Sequence, residues 1–151
     1  MSVKLGHEAK LYYCAAGIGG TPSWTEVPGV RNLKLNNSRG EADVSTRGGG
    51  GWKATVGTLI DAVIDFDLVY DPDDATVEAI EGAFFAGTLL GLAAMSGPVA
   101  EAGSRGLWAD CAILKFERDE SLEQPLLVAV TAKPTYSANQ PVFEVVPEPE
   151  A

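Results

Sequence analysis

The sequence predicts a mostly β protein, a β-sandwich or partly closed barrel of about seven or eight strands with one flanking α-helix. Apolar and polar residues alternate with a period of two in several runs, Gly- and Pro-rich clusters separate those runs, and one stretch has helical periodicity. A chain of 151 residues is long enough to bury one core. We therefore expect a single domain over residues 1–151, with flexible ends at 1–8 and 146–151.

Several strands are predicted in the first half of the chain. Short candidates occupy 9–16 (AKLYYCAA) and 24–27 (WTEV), and VRNLKLNN at 30–37 alternates as a half-buried strand does. The segment EADVSTRGGGGWKATVGTL (41–59) begins as a strand, breaks into four consecutive glycines and resumes as a strand. The clearest alternation follows at 60–71, where four aspartates share one face and the other face is apolar. That apolar face, which we expect in the core, contains Ile60, Ala62, Ile64, Phe66, Leu68 and Tyr70.

A helix is predicted after this strand. In DPDD (71–74), we expect Asp71 as the N-cap and Pro72 as the first helical residue, with two more acids at the positive end of the helix dipole. Gly87 is expected to end a helix of about 14 residues. The stripe expected to face the core contains Val77, Ile80 and Phe84.

Three further strands are predicted after the helix, at 88–95, 107–118 and 125–137, with a loop at 96–106. Pro134 must either end the last strand or place it at a sheet edge, because proline has no N–H to donate. With the earlier runs, these segments give the count of about seven or eight strands.

Composition excludes several classes of protein. Hydrophobic residues make up 46% of the chain, which excludes wholesale disorder, and 21 acidic against 11 basic residues give a net charge of −10, which opposes stable binding to nucleic acid. The N-terminal segment lacks the apolar stretch of a signal peptide, and the apolar segment AFFAGTLLGLAAM is shorter than the roughly 20 residues of a membrane span. We expect a soluble protein made in a cytoplasm, with no membrane partner.

The sequence contains no convincing catalytic or metal-binding motif. Cys14 and Cys111 lie far apart in apolar runs and are predicted to be buried free thiols, whereas a zinc site would need four ligands at short spacings. The glycine run precedes Trp52 instead of the Lys-Ser or Lys-Thr pair of a phosphate-binding loop. Asp65 and Asp67 could suit a glycosidase pair, but nothing near them in sequence predicts a pocket. We expect no enzyme, no metal and no cofactor.

The chain combines an early AKLYY strand, the segment WTEVPGVRNLKLN, the stretch EADVSTRGGGGWKATVGTLIDAVIDFDL, a helix after DPDDATVEAI and a closing LLVAVTAKPT strand. In this order the segments, roughly residues 8 to 136, resemble the tail tube (major tail) proteins of long-tailed bacteriophages. The resemblance implies a β-sandwich or barrel with a flanking helix. It also implies hexameric rings that stack into a hollow tube around a tape-measure protein.

The resemblance further implies where the protein acts and what it contacts. The tube is part of the virion tail, is assembled in the host cytoplasm, and passes DNA into the host without binding it specifically. The implied partners are other copies of the chain, the tape-measure protein, the tail terminator and the tail-tip proteins.

By the same resemblance, residues 41–55 would form a long hairpin loop that reaches from one ring to the next. Four glycines predict a segment that is disordered in the free subunit and folds on docking, with charged side chains as salt-bridge partners and a tryptophan as an anchor. An ordinary mobile hairpin is the alternative. The residues assigned to the inter-ring loop are Asp43, Arg47, Gly48, Gly49, Gly50, Gly51, Trp52 and Lys53.

Charge suggests candidates for the bore of such a ring. One inward lysine per subunit would already supply the ~6 phosphate contacts of strong DNA binding, whereas acids would repel phosphates and let DNA slide. The candidates for the bore are Asp61, Asp65 and Asp67. The alternative is that these acids face the outside solvent.

Two other classes of protein fit the sequence. A carbohydrate- or protein-binding β-sandwich module would use Trp24, Trp52 and Trp108 as surface platforms, although Trp108 at the head of a strand favours a core position. A tail terminator or neck protein would also form a ring but would cap the tube instead of repeating along it.

Overall fold

The computed structural model describes residues 9–19, 23–99, 102–120, 122, 125–135 and 137–146. Its elements, in chain order, are β1 (Lys10–Cys14), β2 (Thr25–Glu26), β3 (Val30–Asp43), a 3-10 helix (Arg47–Gly49), β4 (Thr55–Val69), α1 (Ala75–Ala86), β5 (Leu89–Met95), β6 (Arg105–Asp119), β7 (Leu127–Pro134) and β8 (Val142–Val145). The predicted class, mostly β with one flanking helix, is confirmed. The flexible ends were predicted at 1–8 and 146–151, and of these residues only Val146 lies within the described ranges, where its N–H donates to the Ser104 carbonyl at 2.8 Å.

The strands form one antiparallel sheet in the order β2-β1-β5-β6-β7-β4-β3, with β8 also paired to β6. The long β6 pairs with β5 along one edge, from Gly106 to Ala112. Its other edge is shared, because β8 borders Arg105–Trp108 and β7 borders β6 from Cys111 onwards. The four-residue β8, which the alternation did not predict, thus continues beside β6 where β7 ends. No pairing joins β2 to β3 in the described residues, so this sheet is not closed into a barrel.

The main core lies between one face of the sheet and α1. Alternate residues of β4, β5, β6 and β7 point into it, as the alternation at 60–71 predicts. Ile60, which was predicted to be in the core, is 64% exposed because β7 pairs with β4 only from Ile64 to Val69. The helix contributes the predicted stripe of Val77, Ile80 and Phe84.

Helix α1 begins later than predicted. Asp74 is the N-cap, and the prediction of Asp71 was wrong: the Asp74 Oδ1 accepts hydrogen bonds from the Thr76 N–H at 3.0 Å and the Thr76 hydroxyl at 2.8 Å. Asp71 instead accepts the N–H groups of Asp73 and Asp74 in the turn that leaves β4. Gly87 ends the helix as predicted, in the left-handed conformation (φ 71°) that glycine adopts without strain.

A second, smaller cluster lies on the opposite face of the sheet. Trp24 packs edge-on against Trp108 with ring centroids 5.2 Å apart, and the Trp108 indole N–H donates to the Met95 sulfur at 3.2 Å. Both tryptophans are half-buried. Two of the three tryptophans considered as binding platforms are therefore parts of a packed cluster.

A buried carboxylate links β6 to two loops. Asp110 is 3% exposed, and its two oxygens accept the Ile18 N–H and the Ser137 hydroxyl, each at 2.8 Å. The predicted free thiols are confirmed, since Cys14 and Cys111 are both buried and unbridged. Burial, with a smaller effect of the neighbouring Asp110, raises the pKa of Cys111 to about 12.

Replacing Asp110 by alanine should lower the free energy of unfolding by about 3 kcal/mol, because the buried Ile18 N–H loses its acceptor and the Ser137 hydroxyl keeps only the Asn139 carbonyl. Urea unfolding followed by circular dichroism measures this loss. Asp73→Ala, in the exposed turn before α1, is the matched control and should change stability by less than about 0.5 kcal/mol. Equal effects of the two substitutions would contradict the assigned role of Asp110.

Candidate functional site

The far half of the β3–β4 hairpin stands free of the rest of the sheet. β3 and β4 pair along almost their whole lengths, whereas β7 borders β4 only from Ile64 to Val69. Every residue from 36 to 61 is exposed, and we call this segment the hairpin arm. Residues 55–61 of the arm span roughly 20 Å at about 3.3 Å per residue, and the loop at the end of the hairpin extends beyond them. The arm is therefore long enough to reach well beyond the domain that carries it.

Irregularities in β3 accompany the departure of the arm from the sheet. The pairing register shifts between Arg31 and Lys34 and again between Arg39 and Glu41. At the first shift Asn32 has a φ of 53°, a left-handed conformation that asparagine tolerates better than most residues. Such bulges bend a strand and increase its twist. They explain how the hairpin can diverge from β7 without losing its own pairing.

Local hydrogen bonds close the tip of the arm, which we define as residues 43–55. The Val44 N–H donates to the Ala54 carbonyl at 2.9 Å, and the Ala54 N–H donates to the Ser45 hydroxyl at 2.8 Å. The Asp43 carboxylate accepts the Ser45 N–H at 2.8 Å. Hydrogen bonds from the side chain and backbone of Ser45 hold the pKa of Asp43 below its ordinary value.

The glycine run forms the reversal of the hairpin. A 3-10 turn at Arg47–Gly49 is followed by Gly50 and Gly51, whose φ values of 67° and 87° are strained for any residue with a side chain. Trp52 comes next, with 82% of its surface exposed. The tip thus has a defined turn, and its disorder in the free subunit stays a prediction.

The charged side chains of the tip are available to a partner. The ion pairs found in the described ranges lie elsewhere, and they join Lys10 to Glu26, Lys115 to Glu117, and Arg118 to Glu120. Arg47 and Lys53 are exposed and take part in none of these pairs. The eight residues predicted for an inter-ring loop therefore lie together at one exposed tip.

The acids predicted for the bore share the face of β4 that points away from the core. Asp61 lies on the hairpin arm, opposite Ser38 of β3. Asp65 is half-buried, accepts the Thr131 hydroxyl at 2.7 Å, and lies opposite Lys34. A basic residue of the neighbouring strand thus borders one of the three acids.

Asp67 has the same kind of surroundings. Its carboxylate accepts the side-chain N–H of Asn32 at 3.0 Å and lies opposite Arg31 of β3. The face is therefore a mixed ladder of acids and bases instead of the purely acidic strip that the alternation of β4 suggests. The sequence pattern could not reveal these cations, because they come from another strand through the pairing register.

An apolar groove of about 690 Å³ opens between the hairpin arm and β8, and we call it the arm groove. Its floor includes Ala62 and Leu107, and its sides include the exposed Ile60 and Phe143. The remaining lining residues are Asn37, Arg39, Thr58, Leu59, Pro134, Gln140 and Pro141. Sequence reasoning missed this feature, because β8 was not predicted and Ile60 was expected in the core.

A family model described as "Phage tail tube protein" matches residues 9–125, which is most of the chain. The chain belongs to this family. As a phage tail tube protein it is a structural component of the virion tail. The resemblance found in the sequence is confirmed.

Solved structures of tails have the same fold as this tail tube protein. The tail of an empty gene transfer agent particle with C6 symmetry matches with a TM-score of 0.74 and 18% identity over 95% of this chain and 100% of that chain. The virion of a native gene transfer agent particle matches with a TM-score of 0.71 and 17% identity over 95% and 100%. The SPP1 tail tube matches with a TM-score of 0.71 and 11% identity over 97% and 81%. No curated protein sequence matches this chain.

Neither a metal-binding cluster nor a membrane-spanning helix occurs in the described residues. No group of three or more His, Cys, Asp or Glu side chains in these ranges is placed to hold a metal ion. Within the same ranges, no helix has the length and apolar character that crossing a membrane requires.

Because hydrogen bonds lower the pKa of Asp43, the Ser45 amide resonance should titrate with a midpoint below 3.8 in an NMR pH series. The bonds contribute stability above the ordinary aspartate pKa, and that stability is lost as the pH falls through the lowered value. Ser45→Ala removes the hydroxyl bond and should raise the midpoint. A wild-type midpoint at or above 3.8 would contradict the described tip.

Proposed function

We propose that this tail tube protein assembles into hexameric rings, that the rings stack into a hollow tube, and that DNA passes through the tube into the host cell. The observation that carries the proposal is an exposed hairpin arm on a tail tube fold. The C6 symmetry of the gene transfer agent tail supports a ring of six for a chain of this fold. The tape-measure protein, the tail terminator and the tail-tip proteins are proposed as the other partners.

The tip of the hairpin arm is proposed as the contact between stacked rings. The arm runs along the strand direction past the end of β7, so its tip is the part of the arm farthest from the core. Trp52 has the exposed aromatic surface that interface anchors typically have, and Arg47 and Lys53 flank it with positive charge. Fixing a mobile chain costs on the order of 1 kcal/mol of conformational entropy per residue. Several arms that dock together on an existing ring can offset this cost, whereas the arm of a lone subunit cannot. Growth from an existing ring is therefore favoured over nucleation.

The polar face of β4 is proposed to line the bore, with Asp61, Asp65 and Asp67 as the acids nearest to passing DNA. Arg31 and Lys34 lie opposite two of these acids, and this mixed ladder leaves less positive charge open to phosphates. The net charge of −10 per chain also disfavours adhesion of DNA. Such a surface suits a conduit that must not retain what passes through it.

Removing Trp52, the proposed anchor of the arm, should weaken tube growth. We expect Trp52→Ala to raise the protein concentration needed for tube formation about tenfold or more, because exposed aromatic anchors carry much of the binding energy of an interface. Deletion of residues 48–51 should abolish tubes altogether. Sedimentation and negative-stain microscopy, with preformed tubes as seeds, measure both effects.

The matched control for the arm is Leu122→Ala, at a residue that is 99% exposed and lies outside the arm. This variant should form tubes as the wild type does. If the deletion variant is folded by circular dichroism and still builds tubes of normal length, the assignment of the tip is wrong. Wild-type protein that forms single rings and never stacks them would favour a tail terminator.

Reversing one bore charge should make the tube retain DNA. Asp61→Lys adds one lysine per subunit, and a hexameric ring would then offer the ~6 phosphate contacts that give tight, salt-sensitive binding. Retention of a single-stranded oligonucleotide by tubes at low and high salt is the measurement. Asp73→Lys, in the turn before α1, changes the net charge equally and should retain nothing. Equal retention by both variants would contradict the proposed bore.

A further inference from the structure

Two separate apolar surfaces remain open on the described molecule. The first is the arm groove, which exists because β7 ends at Pro134 while the hairpin arm continues past it. Ile60 and Phe143 line the groove and are 64% and 56% exposed. A volume of about 690 Å³ is within the roughly 300–1,000 Å³ of pockets that bind side chains or small molecules. Arg39 adds a positive charge to the groove.

The second surface lies at the end of α1, and we call it the helix-end patch. Phe85 is 72% exposed, and its ring packs edge-on against Phe84 and Phe116 at centroid distances of 5.1 Å and 6.4 Å. Those contacts hold a large aromatic side chain outside the core.

The helix-end patch carries negative charge where the arm groove carries positive charge. Glu81 lies one helical turn before Phe85 and lines the same shallow depression. Arg118 also lines that depression, but it is ion-paired with Glu120 at 2.7 Å and lies over the ring of Tyr70. The carboxylate of Glu81 is thus the charge that the patch offers to a partner.

The two surfaces cannot cover each other within one chain. Phe116, beside the patch, pairs with Val130 of β7, which in turn pairs with Phe66 of β4. The patch therefore lies at the level of Phe66 along the strands, whereas the groove lies at the level of Ile60. Six residues of strand separate these levels, which is roughly 20 Å at about 3.3 Å per residue. A head-to-tail contact between copies requires two different surfaces on one subunit, such as a groove and an exposed aromatic side chain at another level of the sheet. Closed rings larger than dimers are built from such contacts.

We infer that the arm groove of one copy receives Phe85 of a second copy, with Glu81 of the second copy facing Arg39 of the first. This inference rests on the proposed function, because it assigns the contact by which the proposed rings close. The occupant is a second copy because its exposed aromatic side chain and its charge both match the groove. The C6 symmetry of the gene transfer agent tail, which has the same fold, requires two such unlike surfaces on each subunit of that tail.

The decisive experiment uses two variants that each lose one surface. Ile60→Glu places a charge in the groove and leaves the patch intact. Phe85→Glu places a charge in the patch and leaves the groove intact. Both positions are exposed, so both variants should fold, which circular dichroism and thermal unfolding check. Each variant alone should sediment as a monomer. An equimolar mixture should form a one-to-one dimer, because the intact groove of the Phe85→Glu variant can receive the intact patch of the Ile60→Glu variant. Nothing larger should form, because the two surfaces left open on this dimer are the mutated ones.

Charge reversal tests the predicted pairing. Arg39→Glu and Glu81→Arg should each raise the concentration at which copies associate by roughly tenfold, and the double variant should restore association in one chain. Leu122→Glu, at an exposed position outside both surfaces, is the matched control and should associate as the wild type does. Failure of the double variant to recover would overturn the pairing of these two residues.

The outcomes separate the inference from the proposed function. If wild-type protein builds rings while the mixture of Ile60→Glu and Phe85→Glu stays monomeric, or while either variant assembles alone, the inferred contact is wrong and the proposed function stands. If the wild type never builds rings or tubes but the mixture forms its dimer, the contact stands and the ring proposal fails. A small molecule that copurifies in the groove of a monomeric wild type would overturn the inferred occupant.

Discussion

The limited contact between β4 and β7 is the constraint on which the rest of the molecule depends. β7 pairs with β4 only from Ile64 to Val69 and ends at Pro134, which has no N–H to continue the ladder. Beyond that point the hairpin keeps its own pairing and leaves the sheet. The exposed arm and the apolar groove beneath it both follow from the early end of β7. β8 continues beside β6 beyond that point, but it does not pair with β4 in the described residues, so the space between β8 and the arm stays open.

The same hairpin separates the stable part of the subunit from the part suited to contacts. Ile64 and Leu68 of β4 are fully buried in the main core, whereas Ile60 is mostly exposed on the same side of the same strand. One continuous strand therefore anchors the arm in the core and presents it to other molecules. Asp110 and the packed pair of Trp24 and Trp108 stabilise other parts of the subunit through contacts that do not involve the arm. Changes in the arm should accordingly affect assembly much more than folding.

Several features could be predicted from neighbouring residues alone. The alternation around Phe66, the helix end at Gly87 and the exposed glycine-rich tip all follow from spacing or from backbone preference, and the order of these segments led to the right family. The cap at Asp74 was missed because Asp71, another acid that could cap the helix, stands directly before Pro72 and gives a similar local signal. The strand β8 was missed because four residues are too few for a reliable period.

By itself the sequence determined the type of each major element, the side of β4 that faces the core, and the family to which the chain belongs. These depend on the period of apolar residues and on Gly and Pro, which act locally. Only the tertiary structure decided which strands border each other and over what length, and hence that Lys34 lies opposite Asp65 and that Ile60 lines a groove. Pairing length and register are set by contacts between residues far apart in the chain, and a local pattern carries no record of them.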